Sequence, residues 1–401
     1  MTNYASIPRR RFGRTELAMP VFSCGGMRYQ QSWKDLPASE IEADNQANLE
    51  ATIQRSLDVG INHIETARGY GTSEIQLGRI LPSFPRERMI IQTKIGPKET
   101  AREFLDVFDT CMRNLHLDHV ELLGIHGINT EELLQTTLQK NGTLAAARQL
   151  QKEGRVRFVG FSTHGPLQTI VNAIQTGEFD YVNLHWYYVN PFTWPAVEAA
   201  TRQDMGVFII SPNDKGGKLY EPSRKMMDLC APLTPMQFND LYCLARDQVH
   251  TLSLGAARPT DFDEHIEALT YWDQRDALTR EIDARIQDAL IKAHGEEWVQ
   301  QWHVGLPEWG DIPDGINVHE ILRLWTYGTG LDLLSWAKMR YNLLGQADHW
   351  FPGNNAATAK DIAWSTVLKN HPLGDRIAIT LDQAHETLFE APAKRASESE
   401  D

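Results

Sequence analysis

Cysteine is scarce in this chain, and the few present do not gather. Cys24, Cys111, Cys230 and Cys243 form no CxxC pair and no spacing that suits a metal. Buried thiols in a reducing cytoplasm are therefore expected, not disulfides or a metal centre. No run of about 18 apolar residues occurs, so no membrane-spanning helix is expected. The opening MTNYASIPRRRFGR has arginines without an apolar stretch behind them, so no secretory leader is expected. Positive charge is also short. Lys and Arg number 39 against 53 Asp and Glu, a net charge of -14. That balance argues against nucleic acid and anionic membranes as partners. It leaves room for an anionic small molecule held in a local basic pocket. Finally, no GxGxxG turn occurs anywhere, and an open doubly wound sheet usually binds dinucleotides through one.

What is present is an alternation. The apolar fraction of 42% and charged fraction of 23% are those of a globular protein large enough for a barrel and an extension. Eight short β-branched or apolar runs lie between residues 19 and 270: MPVFSC, INHIET, MIIQTK, HVELLGIH, VRFVGFS, YVNLHW, GVFIIS and VHTLSLG. Amphipathic segments separate them. In NLEATIQRSLDVG, Leu49, Ile53 and Leu57 recur every four residues, and Gly60 ends the pattern. TAREFLDVFDTCMRNL and TEELLQTTLQKNGTLAAARQLQ read as two more helices. Strands alternating with helices mean parallel strands joined by right-handed crossovers. Eight such units over about 250 residues predict an α/β fold, a (β/α)8 TIM barrel. RRRFGRTELAMP, ahead of the first strand, is expected to form a hairpin that plugs the barrel floor.

The pattern changes near residue 275, which divides the chain into a barrel over 1–275 and an all-helical C-terminal extension over 276–390. DALTREIDARIQDALIKAHGEEWVQQW, NVHEILRLWTYGTGLDLLSWAKMRYNLLGQA and TLDQAHETLF read as helices. Trp298, Trp302, Trp309, Trp325, Trp336, Trp350 and Trp364 all fall in this region. So many tryptophans indicate a packed unit; stacking on a flat ligand is the alternative. The polar end, residues 391–401, is expected to be disordered. The extension is a candidate cap for the barrel or surface for a protein partner.

In a barrel, chemistry gathers at the C-terminal ends of the strands. Strand two ends at Glu65, with Tyr70 in its loop. Strand three ends at Lys94 and strand four at His126. A carboxylate inside a strand end needs a partner, because a buried charge without one is costly. Lys94 is that partner. A free phenol, with pKa of about 10, is a poor acid at neutral pH. A nearby ammonium lowers that value, and an imidazole can orient a substrate oxygen. The four groups suit protonation of a carbonyl oxygen while a cofactor delivers hydride to its carbon. A lyase or isomerase using the Lys-Tyr-His set without nicotinamide is a second reading.

These residues sit in motifs, ETARGYG, QTKIG and LLGIHG, that resemble the aldo-keto reductase superfamily. VRFVGFSTHG, FDYVNLHWYY, IISPNDKGG and LGAARPTDFDEHIEAL resemble its later strands and last helix, in the expected order across residues 9–270. The resemblance implies an NADP(H)-dependent reductase of an aldehyde or ketone, with NAD(H) as the other cofactor choice. It makes Tyr70 the proton donor, Lys94 its modulator, Glu65 the holder of Lys94 and His126 the orienting imidazole. By correspondence Ser162 and Asn183 would hold the carboxamide, and Gly26, Met27 and Thr163 are further cofactor-binding candidates. Ser211, Pro212, Asn213, Lys215 and Gly216 would line the pyrophosphate loop. Arg258, Glu264 and His265 would face the adenosine end, with Arg258 beside the NADP phosphate, and Gly255, Ala257 and Asp261 are further cofactor-binding candidates. The chain departs from the family in five places. Glu65 replaces the usual aspartate and Thr163 an asparagine. Asn183, or Leu184 in a shifted register, replaces a glutamine. Ile210 replaces a stacking aromatic, and Asp261 a basic or amide residue. Those departures motivate a rival reading, a non-enzymatic nucleotide-binding regulator on the same barrel. The extension resembles the ferredoxin-like extension of some members, but it has no cysteine to ligate an iron–sulfur cluster. No cluster is expected.

Overall fold

Short β-branched segments flanked by polar turns become parallel strands when both of their faces can be buried. The computed structural model describes residues 7–398 and shows this for all eight predicted runs. After a hairpin of β1 (Arg9–Arg11) and β2 (Ala18–Pro20), the barrel strands follow in chain order. They are β3 (Phe22–Gly25), β4 (His63–Glu65), β5 (Ile90–Ile95), β6 (Val120–His126), β7 (Val156–Ser162), β8 (Tyr181–Leu184), β9 (Gly206–Ile209) and β10 (Thr251–Ser253). Each pairs in parallel with its neighbours, and β10 closes on β3, so the sheet is a closed TIM barrel. The hairpin is antiparallel, with Arg9 opposite Pro20. Phe12 at its turn packs with Met19, Ile90, Leu122, Tyr181 and Phe208 and fills the barrel floor. The predicted plug is therefore observed.

Helix boundaries were less legible. The helix Ala101–Leu115 begins at a capping box, in which the Thr100 hydroxyl accepts from the Glu103 N–H. The segment 130–151, read as one helix, is two: Glu131–Leu138 and Thr143–Lys152, parted at Gly142. The predicted helix over 276–302 also breaks, at Gly295, whose φ of 84° lies outside the helical region.

By internal contacts the chain forms two compact units. The first comprises residues 1–212, 239–273 and 396–401. The second comprises residues 213–238 and 274–395. Residues 213–238, expected with the barrel, thus group with the extension. The contacts show why. Lys225 Nζ donates to the Gly330 carbonyl at 2.6 Å, Ser223 Oγ to the Leu331 carbonyl at 3.2 Å, and Arg285 to the Ala231 carbonyl at 2.5 Å. Trp298, Trp302, Trp336 and Trp364 are buried, and the Trp298 indole donates to Thr326 Oγ1 at 2.9 Å. The tail expected to be disordered is tied down in part. The Ala393 N–H donates to the Asn342 carbonyl at 2.8 Å, and Ala396–Glu398 form a 3-10 turn. Residues 399–401 lie outside the described residues.

Candidate active site

The end of β4 delivers Glu65 into the barrel, and the loop after it keeps pairing with β5. The Thr66 N–H donates to the Gln92 carbonyl and the Arg68 N–H to the Lys94 carbonyl, at 2.8 and 2.9 Å. A turn then follows, closed by the Tyr70 N–H on the Ala67 carbonyl at 3.0 Å. Gly71 makes that turn possible. Its φ is +49°, and a Cβ there would lie 2.0 Å from the Ser32 carbonyl oxygen. The turn holds the Tyr70 ring half-buried at the mouth.

Lys94 comes from β5 and is almost fully buried. Its ammonium is in direct contact with the Glu65 carboxylate and donates to the Thr66 carbonyl at 2.9 Å. Glutamate, one methylene longer than the family's aspartate, thus reaches the lysine. Opposite Lys94 in register stands Gly124 of β6, where a Cβ would lie 2.8 Å from Lys94 Cγ. The missing side chain is the space the lysine occupies. The ammonium lies 4.7 Å from the centroid of the Tyr70 ring. His126, last residue of β6, meets Tyr70 edge to face at 5.7 Å. Trp33 meets the same ring at 6.1 Å. So all four predicted groups converge, and Trp33 joins them from a loop with no periodic signal.

One expectation is corrected. The ammonium was expected to pull the phenol's pKa down. In this site withdrawal from water dominates, and burial raises the Tyr70 pKa above its ordinary value. Burial also pulls the Lys94 ammonium well below its ordinary value. The carboxylate touching it is what favours a charge there.

The family model for the aldo/keto reductase family matches residues 22–198, which contain the whole Glu65, Tyr70, Lys94 and His126 set. That stretch is similar to the aldo-keto reductase superfamily. Its members are oxidoreductases. L-galactose dehydrogenase of Arabidopsis thaliana is 25% identical over 55% of this chain and 77% of its own length. NADH-specific methylglyoxal reductase of Escherichia coli is 25% identical over 36% of this chain. There the match spans only half of the relative's length. Among solved structures, an aldo-keto reductase of Bacillus halodurans in its holo form aligns with a TM-score of 0.56 and 17% identity. It covers 69% of this chain and 96% of its own. One from Klebsiella pneumoniae in complex with NADPH aligns at 0.52 and 18%, covering 68% of this chain and 94% of its own. At such identities these two likenesses speak for the fold.

The residues that the superfamily pattern assigns to the cofactor are not equally placed to serve it. Asn183 of β8 is fully buried beside Ser162 of β7 in register, and neither atom of its side-chain amide has a hydrogen-bond partner. A buried amide in that state suits a second amide, such as a nicotinamide carboxamide. Ser162 Oγ accepts from the Gly127 N–H at 3.1 Å and keeps its own hydrogen to donate. Thr163 differs, because its hydroxyl donates to the Ile128 carbonyl at 2.7 Å and accepts from the Gly165 N–H at 3.0 Å. It locks a turn. Gly26 is buried and Met27 half-buried after β3.

Arg258 is exposed and paired with Asp261 at 3.0 Å, while the other Asp261 oxygen accepts from the Ala257 N–H at 2.9 Å. Gly255, with φ of 61°, precedes them, and Glu264 is half-buried. His265 departs from the expectation. It is buried against Asp240, Nδ1 to Oδ2 2.5 Å, beside the Phe22 ring. Ser211, with φ of 52°, and Pro212 end the stretch 1–212 of the first unit. Asn213, Lys215 and Gly216 belong to the second unit, where the Lys215 carbonyl accepts from the Trp336 indole at 3.0 Å. Among the described residues, no group of three or more His, Cys, Asp or Glu is placed to hold a metal ion. No described helix is long and apolar enough to cross a membrane.

Proposed function

We propose that this chain reduces an aldehyde or ketone to an alcohol with NADP(H), and that Tyr70 protonates the carbonyl oxygen. The convergence of Tyr70, Lys94, Glu65 and His126 at one barrel mouth carries the reading. A phenol whose pKa is raised stays protonated at neutral pH, which is the state a proton donor needs. As the proton leaves, negative charge grows on the phenol oxygen. The Lys94 ammonium, held by Glu65 and by the Thr66 carbonyl, stabilises that charge. His126, fixed against the Tyr70 ring, holds the carbonyl oxygen in line. The nicotinamide supplies the hydride when bound. Ser162 and the unpartnered amide of Asn183 would hold its carboxamide. The names of the relatives, an L-galactose dehydrogenase and a methylglyoxal reductase, support carbonyl–alcohol chemistry.

For the cofactor we favour NADP. Arg258 would release Asp261 and grip the 2′-phosphate in two charge-assisted hydrogen bonds. Titration with NADPH and NADH, native and Arg258→Ala, tests this. The substitution should weaken NADPH by about 1.5–3 kcal/mol, the range for hydrogen bonds to charged groups, and leave NADH nearly unchanged. Equal losses, or tighter NADH binding in the native chain, would overturn the choice. A carbonyl panel followed at the cofactor's absorbance tests the activity, and binding without turnover of any carbonyl would favour the regulatory reading.

A further inference from the structure

The turn that carries Tyr70 also holds the loop packed beside it. That loop, residues 26–42, leaves the end of β3 and runs to the helix Ala43–Asp58. Its two flanks are fixed by hydrogen bonds. Thr72 Oγ1 accepts from the Gln31 and Ser32 N–H groups, both at 3.1 Å, and the Thr72 N–H donates to the Ser32 carbonyl at 3.0 Å. The Gln31 side chain ties the far flank. It donates to the Glu40 carbonyl at 3.1 Å and accepts from the Glu42 N–H at 2.7 Å. Between the flanks lies an arc, residues 33–39, which brings half-buried Trp33 edge to face onto the Tyr70 ring.

Two arginines reach this arc. Arg79 donates to the Ala38 carbonyl, and Arg68 pairs with the Asp35 carboxylate. Arg68 is the one joined to the site. It lies two residues before Tyr70, and its N–H donates to the Lys94 carbonyl at 2.9 Å. Behind its guanidinium stands the fully buried Glu74, whose Oε2 is 3.9 Å away. Glu74 Oε1 accepts from the hydroxyl of Thr93, the neighbour of Lys94 on β5, at 2.7 Å. The Arg68 side chain is 22% exposed and that of Asp35 60%. The arginine is therefore the anchored partner, and Asp35 with its arc is the partner that water can compete for.

We infer that Arg68 is a positioning residue: through Asp35 it keeps Trp33 closed against Tyr70, and so limits the width of a carbonyl substrate beside the phenol. Narrow aliphatic carbonyls fit with the arc closed, and broad, ring-bearing ones need it open. The inference rests on the carbonyl-reducing reading above. A partly exposed ion pair shifts such a balance by up to about fivefold, not by orders of magnitude. A substrate that needs the open arc is bound in proportion to the open fraction.

The test compares cyclohexanecarbaldehyde with propanal as the ratio of their kcat/KM values. Asp35→Asn keeps the shape of the side chain and removes its charge. It should raise the ratio by up to about fivefold, mainly through KM of the broader aldehyde. Asp35→Glu should hold the ratio near its native value, because a carboxylate still reaches Arg68. Arg68→Met should act as Asp35→Asn does, and the two together should do no more than either alone. Added salt screens an exposed pair, so it should raise the ratio in the native enzyme and leave Asp35→Asn where it is. An ion pair that merely stiffened a surface loop would change stability and leave the ratio alone. An unchanged ratio in Asp35→Asn, a full second gain in the double variant, or equal ratios in Asp35→Glu and Asp35→Asn would overturn the inference while leaving the reductase reading intact. Absence of turnover of both aldehydes with either nicotinamide would remove that reading and this inference with it.

Discussion

Lys94 is a buried cation whose company decides whether it can stay charged. Its partners are the Glu65 carboxylate and the Thr66 carbonyl. Lys94→Met keeps much of the volume but strands a buried carboxylate. Removing one partner of such a pair costs about 3–5 kcal/mol, so Lys94→Met should lower the free energy of unfolding by that order. Adding Glu65→Gln should recover part of the loss. Denaturant unfolding of both single variants and the double variant checks this, and strict additivity would show that the two groups are not a pair. The pairing was legible in the chain, because an acid and a lysine at the ends of adjacent apolar strands have few other places to go. Trp33 was not legible. Its loop has neither helical nor strand periodicity, and only the folded contact with Tyr70 singles it out. The burial that raises the Tyr70 pKa was hidden for the same reason: solvent access belongs to the assembled mouth.

At the scale of elements, the strands were the legible part, because eight β-branched runs at barrel spacing leave little choice of topology. Helix limits were less so: Gly142 and Gly295 interrupt patterns whose apolar period runs on past them. Register carries information that no single segment shows. Lys94, Gly124, Gly160 and Tyr181 form one inward row, in which Gly124 leaves room for the lysine and Gly160 for the Tyr181 ring. Gly124→Ala should therefore act on the lysine. Overpacking of this kind costs about 1–3 kcal/mol, and the displaced ammonium should lose its seat against Tyr70. The expected outcome is a fold that persists, with kcat for carbonyl reduction lowered by more than the stability loss explains. Circular dichroism melts beside steady-state rates check this. Unaltered kcat would show that the row is not tight around Lys94.

For the whole molecule, charge and solvent decide behaviour across pH. His63 lies inside the barrel, where Ser23 Oγ meets its Nδ1 at 2.6 Å and Gln92 Oε1 meets its Nε2 at 3.1 Å. Burial pushes its pKa down to about 3, and that of His250 down to about 4. Unfolded histidine titrates at about 6.5. Between those values the unfolded chain binds protons that the folded chain refuses, so stability rises with pH there. It is fully present above about pH 6.5 and is lost as pH falls toward the folded values. Each group contributes up to about 1.4 kcal/mol per pH unit in that window. Unfolding free energies measured from pH 7 to pH 4.5 should fall accordingly, and His63→Gln should flatten the slope. A slope that is flat in the native chain would contradict the burial of these rings. The grouping of residues 213–238 with the extension was the least legible feature at this scale. It rests on contacts such as Lys225 with the Gly330 carbonyl, more than a hundred residues away in the chain.

The central claim is that Tyr70 gives its proton to the substrate oxygen, and Tyr70→Phe tests it most directly. The substitution removes the hydroxyl and keeps the ring that packs on Trp33 and His126. Single-turnover reduction with NADPH already bound should slow by at least the roughly 10²–10⁴-fold that general acid catalysis contributes, while the NADPH dissociation constant stays as in the native chain. A Tyr70→Phe variant that reduces carbonyl substrates at the native rate would contradict the account.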